Sequence, residues 1–100
     1  MNIYQGIQNI ENQTELFKTL HQNSNVKIEL IQSNMPKSGD WYNQKKDEWI
    51  LLLEGEAKLE YKNSSFNTLI KGDTLLIPAH TQHRVAFTTP NALWLAIHLL

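Results

Sequence analysis

The chain has 100 residues, of which 41% are apolar, which is enough for one hydrophobic core and too short for two. Its formal net charge of −1, with no local cluster of Lys and Arg, argues against a nucleic-acid or anionic-membrane partner. The absence of cysteine excludes disulfides and thiolate chemistry, so any metal site would depend on His, Glu, Asp, Gln and water.

The N-terminal stretch MNIYQGIQNIENQ has neither a basic region nor a long apolar segment. We therefore expect no signal peptide. No apolar run in the chain approaches the length needed to span a bilayer. These features predict a soluble, cytoplasmic protein.

A short helix is the first predicted element. Asn12 and Glu15 have the spacing of a capping box, in which each side chain bonds the backbone of the other residue. Three apolar residues then fall on one helical stripe: Leu16, Phe17 and Leu20. We predict a helix over about residues 13–22 that covers one edge of a sheet, with His21 on its solvated side.

From Val26 onward the apolar pattern has a period of two residues, which predicts β-strands. The segment that begins at Glu48 is apolar on both faces, as in a central strand covered from both sides. After the strand at Val26, the predicted strands cover residues 48–53, 57–61, 66–70, 74–77, 84–88 and 92–100. One helix followed by about seven short strands predicts an all-β sandwich or barrel over about residues 26–100, within a single domain of residues 1–100.

The stretch GDTLLIPAHTQHR, residues 72–84, combines a tight turn, a short strand and a connector. Gly72 supplies the φ freedom that the turn needs, and Pro78 ends the strand because it has no N–H for a ladder. We expect this arrangement to hold His80 and His83 on a stiff connector between two strands.

This stretch resembles the second motif of the cupin superfamily, which is Gly, five residues, Pro, one residue, Gly, two residues, His. Gly72, Pro78 and His83 match at that spacing, and His80 stands where the family usually has the second glycine.

The first cupin motif ends in Glu, six residues, Gly, and Glu48 and Gly55 match it. The resemblance covers essentially residues 26–100 and implies a double-stranded β-helix, the jelly-roll barrel. The chain is also similar to a group of small, single-domain bacterial cupins of unassigned function.

In metal-binding cupins a His-x-His pair lies three or four residues before this glutamate. The matching positions hold no histidine in either register: Tyr42 and Gln44, or Trp41 and Asn43. Of the ligand positions of metal-binding cupins, only those of Glu48 and His83 hold the same residue type in this sequence. One reading is an open site for a divalent first-row metal (Fe, Mn, Ni, Cu or Zn) held by Glu48, His83 and Gln44. His80 or His98 would add a further ligand.

The reading we favour is a metal-free pocket, because two standard histidine ligands are missing. A carboxylate in an apolar barrel needs a partner. For Glu48 the candidate partners are His83, Gln44 and Arg84.

Strand alternation predicts which side chains meet in the barrel. Glu48 shares a face with Ile50, and His83 shares a face with Phe87. Arg84 falls on the opposite face from His83, where we expect a structural ion pair.

His98 shares a face with Trp94 and lies either in the pocket or on the outer surface. Trp41 and Tyr42 come next to the expected pocket mouth. The predicted ligand-binding residues are Trp41, Tyr42, Gln44, Glu48, His80, His83 and His98.

Three functions remain open at this stage. The first is binding of a small polar ligand in the barrel, with or without a divalent metal. The second is a metal-dependent enzyme, such as an isomerase, dioxygenase or lyase, acting on a small metabolite. The third is a non-catalytic dimerisation module, because an apolar strand face would pack against a second subunit: Trp49, Leu51 and Leu53. We expect a homodimer and a small-molecule ligand.

Overall fold

The computed structural model describes residues 1–100 and contains eight β-strands and no helix. In chain order the strands are β1 (Thr14–Gln22), β2 (Val26–Asn34), β3 (Glu48–Glu54), β4 (Glu56–Tyr61), β5 (Phe66–Ile70), β6 (Thr74–Ile77), β7 (His83–Thr88) and β8 (Ala92–Leu99). They form a five-stranded sheet in the order β1-β2-β8-β3-β6 and a three-stranded sheet in the order β5-β4-β7. No helix long and apolar enough to cross a membrane is present. The predicted all-β fold is confirmed.

The core lies between the two sheets, and residues of both sheets contribute to it at alternate positions. In β3 the buried side chains are Glu48, Ile50 and Leu52, while Trp49 and Leu51 are only partly buried. The predicted shared face of Glu48 and Ile50 is therefore confirmed, whereas the other face of this strand, expected to be covered as well, is only partly covered. The buried apolar residues that pack together are Ile50, Leu52, Ala57, Leu59, Leu69, Ile77, Ala92, Trp94 and Ala96.

The helix predicted over about residues 13–22 is wrong, because this segment forms strand β1 and pairs antiparallel with β2. A helix of about ten residues is marginal by itself in water. The edge of β2, in contrast, offers a row of backbone groups that need hydrogen-bond partners. Glu15, predicted to complete a capping box, instead accepts a hydrogen bond from Ser33 Oγ at 2.7 Å.

One predicted shared face is also wrong. His83 is buried, whereas Phe87 is 40% exposed. At Ala86, strand β7 has one more residue than its partner β4, which makes a β-bulge. Because side chains alternate along a strand, this extra residue turns Phe87 outward and buries Thr88.

The two glycines of the cupin-like motifs lie in the left-handed region, with φ of +90° at Gly55 and +91° at Gly72. A side chain at Gly55 would also come within 2.6 Å of Thr89 Oγ1. The backbone N–H of Gly72 donates to Leu52 O at 2.7 Å, which ties the turn before β6 to strand β3. The turn therefore helps to set the position of β6 and of the connector that leads to His83.

Candidate functional site

A pocket of about 260 Å³, partly open to solvent, lies between the two sheets. One part of its wall is apolar and comprises Phe17, Ile31, Ile50, Leu59, Ile77, Val85 and Trp94. The polar residues of its wall are Glu15, Glu29, Tyr42, Gln44, Glu48, His83 and His98. The pocket thus has the composition of a small-molecule site, in which a few polar groups are set into apolar walls.

The structure brings five of the seven predicted site residues to this pocket: Tyr42, Gln44, Glu48, His83 and His98. It also decides the open question about His98, which faces the pocket together with Trp94. Trp41 and His80, predicted with them, do not line the pocket.

Trp41 lies outside the pocket because its ring packs between two cations. Lys62 Nζ is 4.1 Å and Arg84 Cζ is 4.4 Å from the centroid of the indole ring. Arg84 also pairs with Glu60, at 2.6 Å between Nη2 and Oε1. The ion pair expected for Arg84 is therefore present, and this surface cluster supports the loop that carries Trp41.

His80 lies in the turn between β6 and β7, with a positive φ of 62°. Its side chain is exposed and lines a separate, polar surface groove. Its backbone N–H donates to Gln44 O at 2.7 Å. His80 therefore anchors the loop of Gln44 through its main chain, and its imidazole does not take part in the pocket.

Glu48 and His98 occupy paired positions on neighbouring strands β3 and β8. The Glu48 side chain is buried, and His98 Nε2 lies 3.8 Å from Glu48 Oε2. The same His98 nitrogen lies 3.1 Å from Oε1 of Glu29 on β2. An imidazole on the middle of three strands thus stands between two buried carboxylates.

Burial is the main reason why the pKa of Glu48 is raised above its ordinary value. His98 and His83 oppose this shift, because a nearby imidazolium favours the ionised carboxylate. The side-chain amide of Gln44 lowers the pKa of Glu48 as well, whereas the charge of Glu29 raises it.

His83 is held by both its backbone and its ring. Its backbone exchanges two hydrogen bonds with Tyr42, at 2.7 and 3.0 Å, and this bridge fixes the β2–β3 loop beside the pocket. Nδ1 of the ring lies 2.8 Å from the carbonyl oxygen of Thr81. Because a carbonyl can only accept, Nδ1 carries a proton and donates it to Thr81 O.

Gln44 presents an acceptor with no donor. Its Oε1 is fully buried and has no hydrogen-bond partner in the protein. A buried polar atom without a partner costs free energy, so it marks a place where another molecule can supply the missing hydrogen bond.

A series of side-chain hydrogen bonds also links β8 to β1 along the pocket wall. The indole Nε1 of Trp94 donates to Ser33 Oγ at 3.1 Å, and Ser33 Oγ donates to Glu15 Oε2 at 2.7 Å. Burial raises the pKa of the Glu15 carboxyl, and the hydrogen bond from Ser33 partly offsets this effect. These hydrogen bonds fix the carboxyl group of Glu15 at the point where β1 meets the pocket.

Tyr42 lies at the mouth of the pocket, with 43% of its surface exposed. Partial burial and the nearby charges of Glu15, Asp40 and Glu48 raise the pKa of its phenol. Tyr42 therefore stays neutral and keeps its O–H as a donor at the entrance.

Sequence reasoning missed the pocket residues of the first two strands: Glu15, Phe17, Glu29 and Ile31. The predicted helix removed Glu15 and Phe17 from the sheet. Glu29 was missed because the alternation in its strand did not show which face is inside. The available signal was that Glu29 shares a strand face with Ile31, which places a carboxylate and a large apolar side chain on the same side.

The predicted metal ligands Glu48, His83 and Gln44 all line the pocket, and their role as ligands stays a prediction. No three His, Cys, Asp or Glu side chains converge as they would around a bound ion. One imidazole, one carboxylate and one amide oxygen form a weak ligand set for a first-row metal. His98, a further candidate ligand, directs Nε2 at Glu29. This arrangement does not fit a tightly held resident metal.

The fold and much of the sequence are shared with proteins of known structure. A candidate mannose-6-phosphate isomerase from Ralstonia eutropha is 32% identical, with 99% of this chain and 95% of that chain aligned and a TM-score of 0.85. A cupin superfamily protein from Desulfitobacterium hafniense is 26% identical over 91% of this chain and 82% of that chain, with a TM-score of 0.78. KdgF from Halomonas sp. shares the fold at 17% identity and a TM-score of 0.74, over 92% of this chain and 84% of that chain. No protein-family model and no curated protein matches the chain.

Proposed function

This chain belongs to the cupin superfamily, and we propose that it binds a small polar organic ligand in the pocket between its two sheets, without a resident metal ion. The observation that carries the proposal is a 260 Å³ pocket lined by Glu48, His83 and Gln44, in which Gln44 Oε1 is buried without a hydrogen-bond partner. Leaving a buried acceptor without a partner costs free energy, so its presence favours a site in which a ligand completes the hydrogen bond.

The pocket is prepared for a ligand before binding. The two backbone hydrogen bonds between Tyr42 and His83 fix the loop at the mouth. Asp47 Oδ1 accepts a hydrogen bond from Ala79 N at 2.8 Å and ties the same loop to the β6–β7 connector. Since these groups are already ordered, a ligand loses less free energy in organising the site.

We do not propose that this chain acts on mannose 6-phosphate, the substrate in the name of the Ralstonia protein. A sugar phosphate needs a cation or a set of free N–H donors beside its phosphate. None of the residues that line the pocket is Lys or Arg, and three of them are glutamates: Glu15, Glu29 and Glu48. This lining is unfavourable for a dianionic ligand.

The test is a panel of small polyols, sugars, carboxylic acids and amines, followed by changes in the amide NMR spectrum of the labelled protein. We expect at least one compound to shift the signals of pocket residues such as Gln44 and His83. Val85→Trp fills the pocket and should abolish these shifts, while Phe87→Trp, on the same strand but outside the pocket, should preserve them. A binder unaffected by Val85→Trp, or no binder at all, would contradict the proposal.

A second proposal concerns the outer face of the five-stranded sheet, which is apolar. Trp49 pairs with Ile97 on one side and with Leu76 on the other, so these three side chains are neighbours on one face. Leu51 pairs with Leu95 on the same face, and Leu76 is 49% exposed. We name this face the outer apolar patch; its members are Ile28, Trp49, Leu51, Leu76, Leu95 and Ile97.

The N-terminal segment covers only one end of this sheet, where Asn34 Nδ2 donates to Ile10 O at 3.0 Å and Gln32 Nε2 donates to Gln8 O. The outer apolar patch carries no charge, so a second copy can meet it about a two-fold axis without like-charge repulsion. We propose that the chain forms a homodimer through this patch, and a test follows in the Discussion.

A further inference from the structure

The inner end of the pocket presents acceptor groups, whereas the phenol O–H of Tyr42 is a donor at its mouth. Gln44 Oε1 is buried without a donor, and His83 Nδ1 is bonded to Thr81 O, which leaves Nε2 as the ring nitrogen available to a ligand. The Glu48 carboxylate has four lone-pair sites, of which the Gln44 amide uses one, and His98 Nε2 lies 3.8 Å away, beyond hydrogen-bond distance. A ligand that fits Gln44 and Glu48 must bring N–H or O–H donors.

The charge of the pocket wall indicates whether a ligand with these N–H or O–H donors is positively charged, neutral or negatively charged. The wall contains three glutamates and no Lys or Arg. Lys27 Nζ lies 3.4 Å from Glu29 Oε2 and compensates that glutamate, and Arg84 bonds Glu60 on the surface. Glu15 and Glu48 have no Lys or Arg partner, and these two carboxyl groups favour a positively charged ligand over a carboxylate or a phosphate.

The size and the apolar walls of the pocket indicate the size and the apolar character of the rest of the ligand. An apolar cavity of about 150 Å³ can hold a benzene molecule. The pocket here has about 260 Å³ and seven apolar residues in its wall, so it has room for one ring or branched chain and a short polar arm.

The geometry points to a small primary amine as the ligand class, with its ammonium group at Glu48 and Gln44 and its apolar body against Trp94 and Val85. An ammonium has three N–H donors and a positive charge, and it thus matches both these acceptors and the glutamates of the pocket wall. This inference rests on the proposed ligand-binding function and names the class of ligand for the same pocket.

The test compares three probes of similar shape by calorimetry at neutral pH: 2-phenylethylamine, 2-phenylethanol and 3-phenylpropanoate. The protein is first treated with a chelator and dialysed, so that no metal ion can occupy the acceptors. We expect the amine to bind at least about ten-fold more tightly than the alcohol, and the acid not to bind, because only the amine forms charge-assisted hydrogen bonds.

The matched variants are Glu48→Gln and Glu56→Gln. Glu48→Gln should weaken amine binding at least about ten-fold, since it removes the charge while it keeps the shape of the side chain. Glu56 is exposed and does not line the pocket, so Glu56→Gln should leave amine binding unchanged. An unchanged amide NMR spectrum away from the pocket shows that each variant is folded.

The outcomes separate the inference from the function on which it rests. Binding of the alcohol or the acid in the pocket, with the amine no better, overturns the amine inference and leaves the proposed function intact. Amine binding that returns only when a divalent metal is added back also overturns the inference. Failure of all three probes overturns the inference as well, and the ligand panel with Val85→Trp then decides the proposed function independently.

Discussion

Glu48 and His98 face each other on β3 and β8, and the imidazole of His98 lies between the carboxylates of Glu48 and Glu29, at 3.8 and 3.1 Å. Both glutamates are buried, with 7% and 8% exposure. One imidazole carries at most one positive charge, so it cannot balance two buried carboxylates. Lys27 Nζ also lies 3.4 Å from Glu29 Oε2, so Glu29 has a cation of its own. Glu48 has no Lys or Arg partner, and its burial makes the ionised form costly in stability.

Glu48→Gln should raise the free energy of unfolding at neutral pH by on the order of 1 kcal/mol, because it removes a buried charge next to Glu29. The native-state pKa of Glu48 lies above the unfolded-state value, so the native state binds its proton more tightly. The destabilising effect of the charge is thus present above the raised pKa and is lost as the pH falls below the unfolded-state value.

We therefore expect the stability difference between Glu48→Gln and the wild type to shrink as the pH falls from about 7 to about 4. Urea unfolding across this range measures it. The charged and titratable groups that act on Glu48 are His98, His83 and Glu29, and they are unchanged in both proteins. Glu56→Gln, an exposed control, should show no difference at any pH. A Glu48→Gln variant that is less stable than the wild type at neutral pH would instead show that the charge of Glu48 stabilises the fold.

Ser33→Ala should lower the free energy of unfolding by about 1–3 kcal/mol, because it leaves both the Trp94 indole N–H and the Glu15 carboxylate without their hydrogen bonds. Ser38→Ala is the control, since Ser38 is exposed and takes part in hydrogen bonding only through its backbone carbonyl. Urea unfolding compares the two variants. Equal free energies of unfolding for the two variants would contradict the prediction and would mean that water replaces the hydrogen bonds of the Ser33 hydroxyl.

The purified protein should contain much less than one metal ion per chain, even after growth with added Fe, Mn, Ni, Cu and Zn. The reason is the weak ligand set of one imidazole, one carboxylate and one amide. Elemental analysis of the wild type and of His83→Ala gives the answer. Near-stoichiometric metal that disappears in His83→Ala would instead establish Glu48, His83 and Gln44 as metal ligands and favour a metal-dependent enzyme.

Leu76→Glu should convert the proposed homodimer to a monomer, because it places a charge in the centre of a desolvated apolar contact. We expect the dimer dissociation constant to rise by at least about a hundred-fold. Ile70→Glu is the matched control, since Ile70 is also an exposed aliphatic residue, at 56%, but lies on the three-stranded sheet. Light scattering after gel filtration measures the mass. A monomeric wild type at micromolar concentration would contradict the proposal.

The strands and the motif residues could be predicted from the sequence because each depends on short-range rules. A continuous apolar run located β3, and the strand predictions for residues 66–70 and 74–77 have the observed bounds of β5 and β6. The spacing of Glu48, Gly55, Gly72 and His83 follows from turns that need left-handed glycines and from strands of set length. Because these features depend on residues that are close in sequence, a local sequence pattern can predict them.

The N-terminal segment shows where local patterns fail. Asn12, Glu15 and the apolar residues after them satisfy the rules for a helix, yet the free edge of β2 provides a partner for every residue of β1 except Leu20. Strand β2 begins at Val26, just after β1, but the helix signal depends only on residues within the segment itself and does not include this partner. The same limit applies at Ala86, where the bulge is visible only against the register of β4.

What the sequence determined by itself is the class of fold and the two anchors of the site, Glu48 and His83. The tertiary structure decided which face of each strand is inside. In β2, Glu29 faces the pocket and Ile28 faces outward, the reverse of what hydrophobicity alone predicts. The physical reason is that this sheet has an apolar outer face and an inner face that contains a pocket with buried carboxyl groups, so hydrophobicity alone does not distinguish the two. Only the packing of β1, β2, β8 and β3 side by side places Glu29, His98 and Glu48 in contact.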